Sequence, residues 1–398
     1  MLHSYAFSNF RSFLERVEVS FALTEKDSVN GWDRVSPLSG QRLTTAMAVM
    51  GPNASGKTSL LLPLAFLAYF VRYSFNASPD SGVPIVPHFS GGEKPTDFEL
   101  IADAPVADTL LRYRLSATTS HVLTESLERK VRRGNWHPIF DRQRTNEGKY
   151  KVSQNEFGLD QTQAENVRPN VSLISWAAQF DVTLAKQLIN FVMTTNMHLG
   201  GRYWQPNDGA VNWSAQYYAQ NPAMQSRMLN LLAQWDLGLS DVMFQEQEIP
   251  GQTGETKKQW FAYGVHRDGK TKTHYLPFVH ESSGTKAVFM LLALFLPVLE
   301  HGGVIAYDEL DSDLHPHMLE PLLDMFSNPE TNPHNAQIIF TSHVVEVLRL
   351  LQKSQIMLVE KDTLESHAWR LDSMDGVRSD DNRIAKYLAG AYGAVPRL

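Results

Sequence analysis

A chain of 398 residues, 43% hydrophobic and 20% charged, is long enough for one large domain or two and apolar enough to bury a sizeable core. Its net charge of −7 excludes a polycation that coats nucleic acid over its whole length, while a local basic patch stays open. The absence of cysteine excludes disulfides, thiolate zinc sites, iron–sulfur clusters and a thiol nucleophile, and fits a reducing cytoplasm.

The opening MLHSYAFSNFRSF lacks the basic-then-apolar plan of a secretory signal. Residues 3–7 and 17–23 read as two strands joined by a turn. AMAVM, 46–50, is an apolar strand that runs into GPNASGKT, and a helix is expected from about Ser59 to Phe75. Pro, Gly and Ser mark a loop over 78–95. Alternation then predicts an antiparallel sheet over 96–155. Residues 172–200 and 215–240 read as mainly helical, and the aromatic-rich GGRYWQPNDGAVNW, 200–213, as a loop. From 276 the pattern changes. HESSGTK leads into an apolar helix, 286–300, and the stretches GGVIAYDELD, AQIIFTSH and SQIMLVEKD read as buried strands separated by helices. Buried strands alternating with helices predict a mainly parallel sheet. The longest apolar runs, 60–71 and 287–299, fall short of the roughly 20 residues of a bilayer span, so they read as buried helices and no membrane partner is expected.

Four stretches carry chemistry. GPNASGKT, 51–58, fits G-x-x-x-x-G-K-[ST] and sits between a strand and a helix, as that motif requires. Gly51 and Gly56 let the backbone wrap phosphates, with Pro52, Asn53, Ala54 and Ser55 between them presenting N–H groups and Ser59 following. Lys57 would reach the β- and γ-phosphates, and Thr58 would hold Mg²⁺. GGVIAYDELD ends a strand in Asp308, placed to hold the metal, and Glu309, placed to orient water. Two acids there also suit simple helix capping, but their order behind a phosphate loop favours the metal. AQIIFTSH ends near His343, which would sense the γ-phosphate or stand as an ordinary surface histidine. ESSGTK places Ser282, Ser283 and Gly284 at a helix start, an anion site or a plain cap.

Taken in order, this set resembles the ABC-type (SMC-like) ATPase heads. The resemblance covers about 1–120 and 275–398. The stretches SNFRSF, GPNASGKTSLL, DELDSDLHP and YGAVP narrow it. They look like the stand-alone ATPases of bacterial anti-phage and abortive-infection systems, relatives of the overcoming-lysogenization-defect nucleases and of the ATPase subunits of PARIS-type and Septu-like systems. The resemblance implies that Arg11 lies near the nucleotide, that Asp311 and His315 face a partner subunit, and that Ser283 and Gly284 reach the γ-phosphate held by that partner. The signature reads ESSGTK rather than LSGGQ, and no glutamine is assigned to the Q-loop.

No transporter signature, long coiled coil, HNH motif or zinc cluster is present. LVEKD, 358–362, reads as the last strand of the sheet, since 36 residues are too few for a Toprim nuclease. ERKVRRGNW, 128–136, offers Arg129, Lys130, Arg132 and Arg133 as contacts to nucleic acid or an acidic partner, though a solvated hairpin is the more ordinary reading.

The expectation is therefore an α/β ABC-type P-loop ATPase head with a mainly parallel core sheet, an antiparallel subdomain and a helical insertion near 156–245. Its parts are expected at 1–120, 121–275 and 276–398. It would be cytoplasmic, hydrolyse ATP with Mg²⁺, and dimerise or form a higher homo-oligomer through its heads. Its partners would be a separately encoded, nuclease-like effector and a phage-derived protein or nucleic acid as trigger. The alternative is a DNA repair or recombination ATPase that binds nucleic acid without a toxin.

Overall fold

The structure, a computed structural model, describes residues 1–24, 31–104, 109–131, 134–191, 193–202, 207–235, 237–250, 255–267, 272–312, 314–378 and 380–396. Strands β1 (Leu2–Ser8) and β2 (Val17–Ser20) pair antiparallel. A short ribbon of β3 (Asp33–Val35) and β4 (Arg42–Thr44) precedes the wholly buried β5 (Ala46–Met50) and helix α1 (Lys57–Tyr73). The meander expected over 96–155 is present as β6 (Thr96–Asp103), β7 (Thr109–Ala117), β8 (Val122–Val131), β9 (His137–Arg144) and β10 (Tyr150–Gln154). It also takes up β1 and β2, giving seven antiparallel strands in the order β10-β9-β8-β7-β6-β1-β2. That pairing is long-range, and local alternation does not encode it.

Three short helices follow, α2 (Gln161–Glu165), α3 (Leu173–Ala178) and α4 (Thr183–Ile189). The stretch to residue 200 is not helical throughout. It ends in β11 (Met193–Thr195), and a tiny hairpin of β12 (Met197–His198) and β13 (Gly201–Arg202) comes next. Residues 208–213, expected in a loop, open α5 (Asp208–Gln220) because the Asn207 side chain accepts the Ala210 N–H and caps it. Then come α6 (Pro222–Gln234) and a three-stranded antiparallel ribbon, β14 (Asp241–Pro250), β15 (Thr256–Arg267) and β16 (Thr273–Pro277). The chain closes with α7 (Ser283–His301), β17 (Val304–Tyr307), α8 (Leu319–Ser327), β18 (Gln337–Thr341), α9 (Val347–Leu350), β19 (Ile356–Asp362), β20 (Glu365–Arg370) and α10 (Arg383–Leu388).

The central sheet has the order β11-β17-β18-β5-β19-β20. Its pairs are parallel except the last, where β20 turns back on β19. LVEKD is thus the last parallel strand but not the last strand. Both faces of the sheet are covered, which is why its strands read as unbroken apolar runs. Met47, Val49, Ala306, Ile339 and Val359 join the core shared with α1 and the antiparallel sheet. Ala48, Ile305, Phe340 and Leu358 join the core shared with α7 and α8. The Phe66 ring of α1 stacks on Phe98 of β6, centroids 4.8 Å apart. Residues Lys57–Asn76 and Ser283–His301 do have the length and composition to cross a bilayer, but more than half of each window is buried inside the protein.

One fully buried ion pair ties the antiparallel sheet to α3. Glu125 of β8 accepts from Arg142 Nη1 of β9 at 3.0 Å, Ser172 Oγ at 2.7 Å, the Leu173 N–H at 2.8 Å and Tyr113 Oη at 2.9 Å. Desolvation, with the Glu125 charge alongside, pushes the Tyr113 hydroxyl well above its ordinary range. Removing one member of such a pair leaves an uncompensated buried charge, at a cost of about 3–5 kcal/mol. Glu125→Ala should therefore lower the unfolding free energy by an amount in that range, measured by denaturant unfolding followed by circular dichroism.

Candidate functional site

The phosphate loop joins the end of β5 to the start of α1. A Cβ at Gly51 would overlap the Val359 carbonyl oxygen, and one at Gly56 would lie 2.5 Å from Ser366 Oγ and 2.8 Å from Ser12 Oγ. Gly56 also has φ +110°, a left-handed conformation that glycine adopts without strain. Helix α1 has no side-chain cap, so its first-turn N–H groups are left for a ligand. Lys57 is buried, and its ammonium donates to the Gly51 and Pro52 carbonyls at 2.9 Å each. Burial lowers its pKa, and Asp308, Glu309 and Asp311 act in the opposite sense. Behind the loop, Ser366 of β20 donates its hydroxyl to the Ser55 carbonyl at 2.6 Å and its N–H to the Ser12 carbonyl at 2.7 Å.

Asp308 follows β17 at the same sheet edge and is 3% exposed. Its Oδ2 accepts the Thr58 hydroxyl at 2.9 Å and its Oδ1 the Thr341 hydroxyl at 2.7 Å. Asn196, just past β11, closes the backbone. Its Oδ1 accepts the Asp308 N–H and its Nδ2 donates to the Asp308 carbonyl, both at 2.8 Å. Thr341 Oγ1 also accepts the Glu309 N–H at 2.6 Å. Glu309 has φ +54°, uncommon for a residue with a side chain, and Ser312 Oγ donates to its carboxylate at 3.1 Å.

Thus Lys57, Thr58, Asp308 and Glu309 come together, and Asn196 and Thr341 join them. Thr341 lies in AQIIFTSH, where a hydroxyl ending a buried strand is a usable signal. Asn196 lies in a stretch that reads as helical and carries no signal. His343 is exposed, and its backbone N–H donates to both Asp311 oxygens at 3.3 and 3.2 Å. Arg11 stands beside the loop through its neighbour Ser12, and its guanidinium donates to the Leu199 carbonyl. Ser282 caps α7, accepting the Thr285 N–H at 3.1 Å. Among the described residues no hydrogen bond links Ser282, Ser283 or Gly284 to this chain's own phosphate loop. His315 packs its ring on His317.

In the basic cluster, Arg129 pairs with Glu156, and Trp136 has Arg112 and Lys130 over its ring at 4.4 and 5.8 Å. The aromatic ring there is engaged by this chain's own cations. Arg132 and Arg133 lie outside the described residues.

The residues fit a magnesium nucleotide. The Ser55 hydroxyl is buried in the loop without a hydrogen-bond partner. The hydroxyl of Thr58 and the carboxylate of Asp308 are hard oxygen donors, the kind that Mg²⁺ takes sparingly from protein alongside phosphate oxygens. Among the described residues no group of three or more His, Asp or Glu side chains forms an all-protein metal cage.

The family described as "AAA domain, putative AbiEii toxin, Type IV TA system" matches residues 46–349. The chain belongs to this family. Its fold is mixed α/β, with the phosphate loop between β5 and α1 at the rim of a mainly parallel sheet. None of the curated proteins matches the chain. Among solved structures, a crystal structure of the SmcHead bound to the C-winged helix domain of ScpA aligns over 94% of this chain and 98% of its own, with 13% identity and a TM-score of 0.49. A second, an Smc head domain with an extended coiled coil bound to the C-terminal domain of ScpA derived from Pyrococcus furiosus, aligns over 94% and 97%, with 12% identity and a TM-score of 0.42.

Thr341 serves two partners with one hydroxyl, so the isosteric Thr341→Val should cost about 1–3 kcal/mol of stability through unpaired buried groups. Thr341→Ser should recover most of it, as read by thermal unfolding of the three proteins side by side.

Proposed function

We propose that this chain hydrolyses ATP as a cytoplasmic regulatory subunit of an anti-phage defence system. It would dimerise around ATP and control or deliver a separately encoded toxic effector, a nuclease-like protein. The observation that carries the ATPase reading is the junction of Thr58, Asp308 and Thr341, three residues from three elements, beside Lys57 and ahead of Glu309. The defence reading is supported by the family's description, which names a toxin and a toxin–antitoxin system.

In this reading Lys57 exchanges the Gly51 and Pro52 carbonyls for phosphate oxygens, and the uncapped start of α1 supplies backbone donors. Mg²⁺, when bound at Thr58 and Asp308, supplies the charge that offsets the phosphates. Glu309 orients the attacking water and accepts its proton. Thr341 and Asn196 hold Asp308 and Glu309 in place. Ser283 and Gly284, which no hydrogen bond ties to this chain's own loop among the described residues, serve the loop of the partner subunit. Placing donors on opposite subunits makes assembly report the nucleotide state.

Glu309→Gln should bind ATP about as tightly as wild type, lose about a hundredfold or more in turnover, and persist as a dimer with ATP in mass photometry. Normal turnover by this variant would show that Glu309 is not the base. Cells carrying the whole operon with Lys57→Ala should plate phage more efficiently than cells with the wild-type operon. Equal plating would count against the defence reading and leave the ATPase reading standing.

A further inference from the structure

Lys57, Thr58 and Asp308 account for the phosphates and their metal, and leave the base of the nucleotide unassigned. On one side the phosphate loop faces the carboxylates of Asp308, Glu309 and Asp311. A flat, uncharged base gains nothing there. On the other side, behind Gly56, stand the turn that carries Ser12 and the hairpin that joins β19 to β20.

That second side has a built apolar rim. Leu364, two residues before Ser366 at the hairpin tip, is 52% exposed, and its carbonyl meets His88 Nε2 at 3.2 Å. His88 is 2% exposed, and its ring stacks on Phe89, with centroids 4.3 Å apart and planes at 29°. Phe89 is 64% exposed. The loop that carries this pair is pinned to the turn beside the phosphate loop. Asn9 Oδ1 accepts the His88 N–H at 3.1 Å, Asn9 Nδ2 donates to the Lys94 carbonyl at 2.8 Å, and the Arg11 N–H donates to the Val86 carbonyl at 2.8 Å. Val86 is also exposed. Three large apolar side chains are thus held in the open next to the site, one of them an aromatic ring backed by a buried one.

We propose that Phe89, backed by His88 and flanked by Val86 and Leu364, is the platform on which the base of the nucleotide stacks. This rests on the proposed ATPase function and gives it a residue for the other end of the ligand. Stacking on an aromatic ring is strong enough to set affinity and tolerates any base, because every base has a π-face. A platform already rigid before binding loses little entropy when the base arrives.

The test is titration of the full chain, with Mg²⁺, by ATP and by inorganic tripolyphosphate, which carries phosphates and no base. Phe89→Ala should weaken ATP about tenfold or more, leave tripolyphosphate unchanged, and raise the KM for ATP with kcat retained. Phe89→Trp should restore ATP affinity. Equal ATP affinity in Phe89→Ala and wild type, with binding lost in Lys57→Ala, would overturn the platform and keep the phosphate site. Loss of both ligands in Phe89→Ala would mark Phe89 as structural and also overturn it. Failure of the wild type to bind either ligand would remove the ATP reading, and the platform with it.

Discussion

A buried carboxylate has to be paired at every oxygen, because taking its charge out of water costs several kcal/mol. Asp308 meets that demand with hydroxyls from two other elements. Thr58 comes from the start of α1 and Thr341 from the end of β18, while Asn196, from the turn after β11, pairs the Asp308 backbone N–H and carbonyl. Strand β11, only three residues long, pairs with β17 at the edge of the central sheet and so brings Asn196 to the Asp308 backbone. Two hydroxyls, rather than two cations, hold the carboxylate. Hydroxyl partners bring no formal charge and can give way to a metal ion, whereas an arginine would place a permanent cation on the carboxylate.

The rest of the fold places that junction at the edge of the sheet and makes it rigid. In a parallel sheet the strands end together, so β5, β17, β18 and β19 deliver their following residues to one rim. Helix α1 is locked between two sheets by Phe66 and Phe98, so its N-terminus cannot drift from the strand that feeds it. Strand β20 supports the loop from behind through Ser366. The Glu125–Arg142 pair does comparable work far from the site, bonding the antiparallel sheet to the helices that lead into β11.

Much of this was legible in the residues. GPNASGKT between a strand and a helix, DE after an apolar strand, and SSG at a helix start are local signals, and each element formed within a few residues of its expected place. What could not be read depended on distant partners or on brevity. Strands of two or three residues, such as β11 and β12, are too short to show a period. The capture of β1 by β6 and the turn-back of β20 on β19 are pairings between segments, not properties of either segment. Asn196 is an asparagine in a polar stretch, and only the sheet that brings it to Asp308 gives it a role. The turn at Asn9 stands out in the sequence only through the resemblance that SNFRSF carries. Its left-handed backbone at Asn9 and Arg11 is set by the loop packed against it.

Every role proposed at this site requires Asp308 to be the metal-holding acid of an ATPase. The most direct measurement is steady-state phosphate release from ATP by wild type and by Asp308→Asn, each with and without Mg²⁺. Mg²⁺-dependent release by wild type, reduced to background in Asp308→Asn while circular dichroism shows the fold intact, is the predicted result. Release by Asp308→Asn at the wild-type rate, or release by wild type that ignores Mg²⁺, would contradict it.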